Sequence, residues 1–275
     1  MDPTQLSIEV LGGILVGLSL GLVGAGGAIF SVPIFALVLG HPMQTAILEA
    51  LAVTGIVAAF SSLAAARARR VEFATALAFL IPGMVGAWLG GPIGRWLPDE
   101  VQAGLFSVIA AFAAVRMLRS AQQPSGSDGT APRASLAKGA FVGFAIGILT
   151  SIIGVGGGFL LLPALTLLAR LDISRAIGTS LVVITANAAM SLVSNSVHDP
   201  AAFEAIAWSA VAIVAACGLG GSILGTRLAA RLPAVALKRI FASLLLGVAA
   251  LFALESAGVT RVRAGASASP REAAE

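Results

Sequence analysis

Two clusters of glycine interrupt long apolar stretches of this sequence. The first reads Gly24-Ala25-Gly26-Gly27 and the second Gly154-Val155-Gly156-Gly157-Gly158. A helix that breaks inside a bilayer exposes backbone N–H groups, with about half a positive charge, at the start of its next limb. Since glycine also lets a ligand approach the backbone closely, each break can bind a small anion without an ionised side chain.

Packing offers a second interpretation, because glycine also permits close contact between helices in a membrane. One cluster alone fits both interpretations equally well. Two matched clusters favour a binding site, since Pro33 follows Gly27 by six residues and Pro163 follows Gly157 by six residues. The predicted substrate-binding glycines are Gly24, Gly26, Gly27, Gly154, Gly156, Gly157 and Gly158.

Neutral polar side chains follow the second break in a single apolar run. Thr179 and Ser180 lie near its start, and Asn187 lies two turns later on a similar helical face. Hydroxyl and amide donors can coordinate an oxyanion without a desolvated charge. We predict that all three bind substrate, although hydrogen bonds between helices would also explain them.

Glu49 is an acid within the apolar run from Pro42 to Ala66. A carboxylate inside a membrane is expensive to bury and often carries protons. The sequence therefore makes Glu49 a candidate for proton coupling. Because it lies only seven residues after Pro42, contact with the membrane interface or with a base from another loop stays open.

Eight apolar runs must position these residues, and a crossing takes about 20 residues. Both glycine-broken runs, 7–40 and 136–169, are too long for one crossing and short for two. This predicts re-entrant segments or paired half-helices. The remaining runs span 43–66, 71–94, 100–118, 174–197, 201–226 and 234–254.

The chain is an internal duplication. Gly21–Phe35 aligns with Ser151–Leu165, with three glycines and one proline in register, and Leu97–Phe106 aligns with Leu232–Phe241. We predict a first transmembrane repeat over 1–119, a polar linker over 120–135, a second repeat over 136–255 and a disordered tail over 256–275.

The distribution of basic residues predicts how the two repeats are oriented. If each broken run enters and leaves by the same face, or crosses twice, the 17 Lys and Arg divide into 13 on one side and 4 on the other, as the positive-inside rule expects. The repeats are then inverted copies. The larger group comprises Arg67, Arg69, Arg70, Arg116, Arg119, Arg133, Lys138, Arg170, Arg175, Arg227, Arg231, Lys238 and Arg239.

Composition agrees with a membrane protein. Of the 275 residues 58% are hydrophobic and 11% charged, whereas a soluble domain carries about 25% charged residues. The net charge of +4 resides in loops, so it does not indicate nucleic acid. The single cysteine excludes a disulfide framework, and no spacing predicts a metal or a cofactor. The predicted fold is an all-α polytopic integral membrane protein, multi-pass in the cell membrane, of two inverted repeats that each combine one glycine-broken segment with three transmembrane helices.

The motifs GLVGAGGAIFSVP (21–33), SIIGVGGGFLLLP (151–163) and Ile177-Gly178-Thr179-Ser180-Leu181 resemble those of the TauE/SafE family of sulfite exporters, also called toluene sulfonate uptake permeases. The resemblance covers residues 8 to 254 and implies transport of small sulfur-containing or carboxylated anions such as sulfite, sulfonates or sulfoacetate. One departure is that the first copy has Leu48-Glu49-Ala50 where the second has Gly178-Thr179-Ser180.

These observations together predict a secondary transporter that moves small sulfur-containing or organic anions by alternating access around the broken-helix tips. Export is favoured, because expelling one negative charge from a negative interior gains about 2.3 kcal/mol per 100 mV. A passive anion channel stays open as an alternative, as does self-association into a homo-oligomer. An intramembrane enzyme is disfavoured, since no catalytic or nucleotide-binding motif occurs in the sequence.

Overall fold

A computed structural model of the chain describes residues 3–24, 27–121, 136–153 and 158–256. These residues are helical and include no strand, so the all-α membrane fold expected from the sequence is confirmed. The helices are α1 (Pro3–Val23), α2 (Gly27–Pro33), which continues as a π-helical segment (Ile34–Val38), α3 (Met43–Arg67), α4 (Phe73–Arg95), α5 (Asp99–Ala121), α6 (Leu136–Ile153), α7 (Gly158–Leu167), α8 (Ile173–His198), α9 (Pro200–Glu204), α10 (Trp208–Ala229) and α11 (Ala234–Ser256).

Five of these helices, α1, α3, α4, α8 and α10, are long and apolar enough to cross a membrane. The short α9 is not expected from the sequence. It forms because Asp199 accepts a hydrogen bond from the Ala202 N–H and Pro200 occupies the first helical position, where its missing N–H costs nothing. The predicted linker belongs to α5 at residues 120 and 121, and its remainder lies outside the described residues, as does the tail after Ser256.

Both predicted glycine breaks separate two helices. At the first break α1 ends at Val23, and Gly24 adopts a left-handed backbone conformation with φ +69° while its N–H donates to the Leu20 carbonyl. At the second break α6 ends at Ile153 and α7 begins at Gly158. Gly26, Gly154, Gly156 and Gly157 lie outside the described residues.

The limbs that follow the two breaks end in the same way, 130 residues apart. Each closes with a left-handed residue, Gly40 at φ +73° and Arg170 at φ +52°. The flanking backbone hydrogen bonds also correspond: they are Leu39 to Ile34 and His41 to Phe35 in the first half, and Ala169 to Ala164 and Leu171 to Leu165 in the second. The duplicated sequence therefore builds the same local structure twice.

Glycine holds the first helix of each half against the third long helix of the other half. On α1, Gly17 contacts the backbone of Gly218 on α10 so closely that a Cβ atom would collide with it. On α6, Gly147 contacts the backbone of Gly83 on α4 in the same way. In both pairs contacts continue up the helices in rising residue order, so each pair runs parallel. Small residues at such a crossing bring the backbones together.

We name the two ends of the helix bundle after their arginines. At the Arg95 end, Arg95 of α4 donates to the His198 carbonyl at the end of α8, and the start of α10 bonds to Glu49 of α3. At the Arg70 end, the loop 68–72 meets the start of α8. Because α1 runs parallel to α10 and α6 runs parallel to α4, α1 begins at the Arg95 end and α6 begins at the Arg70 end.

Candidate functional site

The break after α1 contacts the polar segment at the start of α8. Ser180 is fully buried, and its hydroxyl donates to the Gly24 carbonyl at 3.0 Å and to the Ile177 carbonyl at 2.8 Å. A Cβ atom on Gly24 would collide with Ile177. The structure therefore brings together two of the predicted site residues, Gly24 and Ser180. The serine hydroxyl caps the orphan carbonyl that the broken helix leaves behind.

Thr179 and Glu49, which occupy equivalent positions in the duplicated sequence, have equivalent hydrogen bonds. Thr179 Oγ1 accepts from the backbone N–H of Glu72, the residue before α4, at 3.0 Å. Glu49 Oε1 accepts from the backbone N–H of Ala207, the residue before α10, at 2.9 Å. Each side chain thus caps a helix of the opposite half. The first copy has Glu49 where the second has Thr179, but both side chains provide a hydrogen-bond acceptor. The two copies can therefore differ in this residue and still form the same capping contact.

Glu49 also has a second partner. Its Oε2 lies 2.6 Å from His41 Nδ1; the carboxylate side chain is fully buried and the histidine is 28% exposed. A buried carboxylate is costly unless it is paired and hydrogen-bonded, and His41 with Ala207 meets that need. The partner of Glu49 is thus a histidine from the loop just before its own helix and not a base from another loop.

Asn187 is fully buried, and neither polar atom of its amide has a hydrogen-bond partner among the described residues. It packs against Gly83 on α4. The hydroxyls of Thr54 and Ser191 are likewise buried without a partner in the described part of the chain. An unpaired buried polar group costs about 1–3 kcal/mol, so three such side chains near the middle of α3 and α8 need an explanation beyond packing.

Sequence reasoning missed a second buried acid. Glu9 on α1 is only 6% exposed, and its Oε2 has no hydrogen-bond partner in the described ranges. It lies inside the first apolar run, so Glu49 is not the sole acid in a helix apolar enough to cross the membrane. Glu9 is the third residue of that run, so its place in an apolar segment is visible in the sequence.

A cavity of about 490 Å³ opens at the Arg70 end. It reaches inward to Gly21 on α1 and to Gly178 on α8, the residues next to the Gly24–Ser180 contact. Arg70 is the only charged residue among the described residues that line it, and its side chain forms no ion pair with any of them. The cavity therefore extends from one end of the bundle to Gly21, three residues before Gly24, and carries a positive charge.

The cavity at the Arg95 end is far smaller, about 20 Å³, and Arg95 lines it. The two cavities therefore differ sharply in volume. In the described ranges no group of three His, Cys, Asp or Glu side chains could hold a metal ion.

Comparison with known proteins agrees with these features. The family model described as sulfite exporter TauE/SafE matches residues 9–252. A probable membrane transporter protein from Xylella fastidiosa strain Temecula1 is 31% identical over 90% of this chain and 95% of its own length, and one from strain 9a5c is 30% identical over the same shares. The probable membrane transporter protein YdhB from Bacillus subtilis strain 168 is 26% identical over 62% of this chain and 70% of its own length. No solved structure matches significantly.

Proposed function

Because the chain belongs to the sulfite exporter TauE/SafE family and is a multi-pass membrane transporter, we propose that it carries small sulfur-containing or organic anions out of the cell. The observation that carries this proposal is the cavity at the Arg70 end. It is large enough for a sulfonate, it has one arginine without an ion-pair partner among the described residues on its wall, and it reaches Gly21, three residues before Gly24.

The two halves are, in this proposal, inverted copies. The supporting contacts are the parallel pairing of α1 with α10 and of α6 with α4, which set the starts of α1 and α6 at opposite ends of the bundle. By the positive-inside rule the Arg70 end faces the cytoplasm. The basic residues of that end include Arg67, Arg69, Arg70, Arg170, Arg175, Arg227 and Arg231, whereas Arg95 lies at the other.

Substrate binds, we propose, at the two glycine breaks, Gly24–Gly27 and Gly154–Gly158, together with Asn187. Two observations support this assignment. The limb α7 starts at Gly158, directly after the second break, so its free N–H groups face the broken segment. The amide of Asn187, seven residues beyond Ser180 on the same face of α8, is buried without a partner among the described residues. An oxyanion would supply the missing acceptor.

Thr179 and Ser180 have a different role in this proposal. Both hydroxyls already bond to backbone groups, Thr179 to the Glu72 N–H and Ser180 to the Gly24 carbonyl. They therefore shape the break rather than coordinate the anion directly. This is the interpretation by hydrogen bonds between helices that the sequence left open.

Export needs no coupled ion, because a negative interior drives an anion outward. Uptake would need a cation, and Glu49 remains our candidate for a proton site. His41 lies 2.6 Å from its carboxylate and is partly exposed, which provides a route for a proton between Glu49 and the Arg95 end. A passive channel is disfavoured by the small volume at that end, about 20 Å³ against about 490 Å³.

A counter-transport experiment tests the carrier mechanism. Proteoliposomes loaded with unlabelled sulfite are diluted into radiolabelled sulfite. A carrier is expected to take up label several-fold faster than in proteoliposomes that contain no sulfite, because the loaded site returns faster. A channel would give no acceleration. Asn187→Leu protein of normal stability should lose the sulfite flux, and unchanged flux would remove Asn187 from the site.

A further inference from the structure

The large and small cavities at opposite ends of the bundle are lined by equivalent positions of the duplicated sequence. Gly21 and Ser174 line the large cavity, and their counterparts 130 residues away, Ser151 and Gln44, line the small one. The two cavities are thus the same feature built twice. The one at the Arg70 end, the open cavity, has a volume of about 490 Å³, and the one at the Arg95 end is a shallow recess of about 20 Å³.

Gln102 on α5 lines the small cavity. Its side chain is only 1% exposed, and Nε2 donates to the Gly94 carbonyl at 2.6 Å and to the Leu97 carbonyl at 3.2 Å. Gly94 lies in the last turn of α4 and its carbonyl also accepts from the Leu97 N–H, whereas Leu97 lies two residues beyond the end of α4. Gln102 therefore ties the start of α5 to the end of α4 beside Arg95, which donates to the His198 carbonyl at the end of α8.

The open cavity has no counterpart of this tie. In the alignment of Leu97–Phe106 with Leu232–Phe241, Gln102 corresponds to Leu237, and Leu237 lines the open cavity. A leucine side chain has no donor to offer the carbonyls at the end of α10. The duplicated halves thus differ in one hydrogen-bonding residue at the position where they also differ in openness.

We propose that the two cavities are the alternating entrances of one anion pathway, and that Gln102 is a positioning residue that holds the Arg95-end entrance closed. This inference rests on the proposed transport function. Opening that entrance breaks the bonds from Gln102 to Gly94 and Leu97, while the Arg70-end entrance closes around Leu237 without forming equivalent bonds. The difference biases the resting protein toward the state that is open at the Arg70 end.

Cysteine accessibility tests the inference without any substrate. In a Cys217→Ala background, which removes the single native cysteine, a reporter cysteine is placed at Ser151, which is 4% exposed in the small cavity, or at Ala65 in the large one. Labelling by a membrane-impermeant maleimide is timed in detergent. Wild-type Gln102 should give slow labelling at position 151 and fast labelling at position 65.

The Gln102→Leu variant gives the first half the leucine that the second half has at the equivalent position, Leu237. Loss of two hydrogen bonds made only in the closed state should raise labelling at position 151 on the order of tenfold and lower it at position 65. Gln44→Leu is the matched control, since Gln44 lines the same cavity and has no hydrogen-bond partner among the described residues. It should leave both rates unchanged.

The reciprocal Leu237→Gln variant should slow labelling at position 65, which keeps the test open if Gln102→Leu does not fold. Unchanged labelling in folded Gln102→Leu protein, or an equal change in Gln44→Leu, would overturn the inference. Sulfite flux is measured separately. Shifted labelling without flux would refute the proposed function but leave the role of Gln102 standing, whereas normal flux with unshifted labelling would refute that role alone.

Discussion

Glu49 and Thr179 occupy equivalent positions of the duplicated sequence, and each caps a helix of the other half. Substitutions at the two positions should therefore have effects that can be compared directly. Glu49→Ala leaves the Ala207 N–H without its acceptor and His41 without its partner, and Thr179→Ala leaves only the Glu72 N–H unpaired. Glu49→Gln retains an amide oxygen that can accept from Ala207. Glu49→Ala therefore removes two contacts and Thr179→Ala removes one, whereas Glu49→Gln keeps the capping acceptor.

The expected magnitudes follow from the contacts. An unpaired backbone N–H costs about 1–3 kcal/mol, and a bond to a charged group contributes about 1.5–3 kcal/mol. We expect Thr179→Ala to lower stability by about 1 kcal/mol, since its partner is only partly buried. Glu49→Ala should cost about 2–4 kcal/mol, less than the sum because the variant also removes a buried charge. Glu49→Gln should cost under about 1 kcal/mol.

Thermal unfolding of purified protein in detergent measures these differences. Each kcal/mol corresponds to about 2–4 °C in a chain of this size, so Glu49→Ala should unfold several degrees below Thr179→Ala. Ser62→Ala is a control, because that hydroxyl bonds only to the Ala59 carbonyl within its own helix. Equal destabilisation by Glu49→Gln and Glu49→Ala would refute the capping argument and assign the effect to the charge.

Three further predictions concern the packing and the pathway. Asn187→Leu should raise the unfolding temperature or leave it unchanged, since it removes an unpaired buried amide, and calorimetry checks this. Gly17→Val should destabilise by more than about 2 kcal/mol because its side chain would collide with Gly218, whereas Gly220→Ala, which has open space, should be neutral in the same unfolding assay. Arg70→Gln should slow sulfite efflux several-fold, with a smaller effect at high salt.

Local sequence patterns sufficed for the parts of the fold that depend on composition and repetition. Apolar runs located the long helices, and the paired glycine clusters located the breaks, because a glycine segment at bilayer depth disfavours helix in both copies. The alignment also placed Glu49 opposite Thr179. It did not show that both cap the opposite half, since that contact joins residues 158 apart in the chain for Glu49.

Other contacts lay beyond sequence reasoning for identifiable causes. Gly17 and Gly147 contact other helices, but glycine spacing within a helix does not say which helix it meets. His41 lies eight residues before Glu49, and only the turn closed at Gly40 directs it toward the carboxylate. Gln102 stood inside a recognised repeat, yet its importance depends on a cavity that no linear pattern reveals.

Flux of anions into and out of proteoliposomes under an imposed membrane potential tests the central claim most directly. Sulfite, a sulfonate, sulfate and acetate are compared in vesicles that contain the purified protein and in empty vesicles. The account predicts that sulfite or the sulfonate moves selectively toward the positive side, at a rate that follows the potential. Absence of flux for all four anions through folded protein would contradict it.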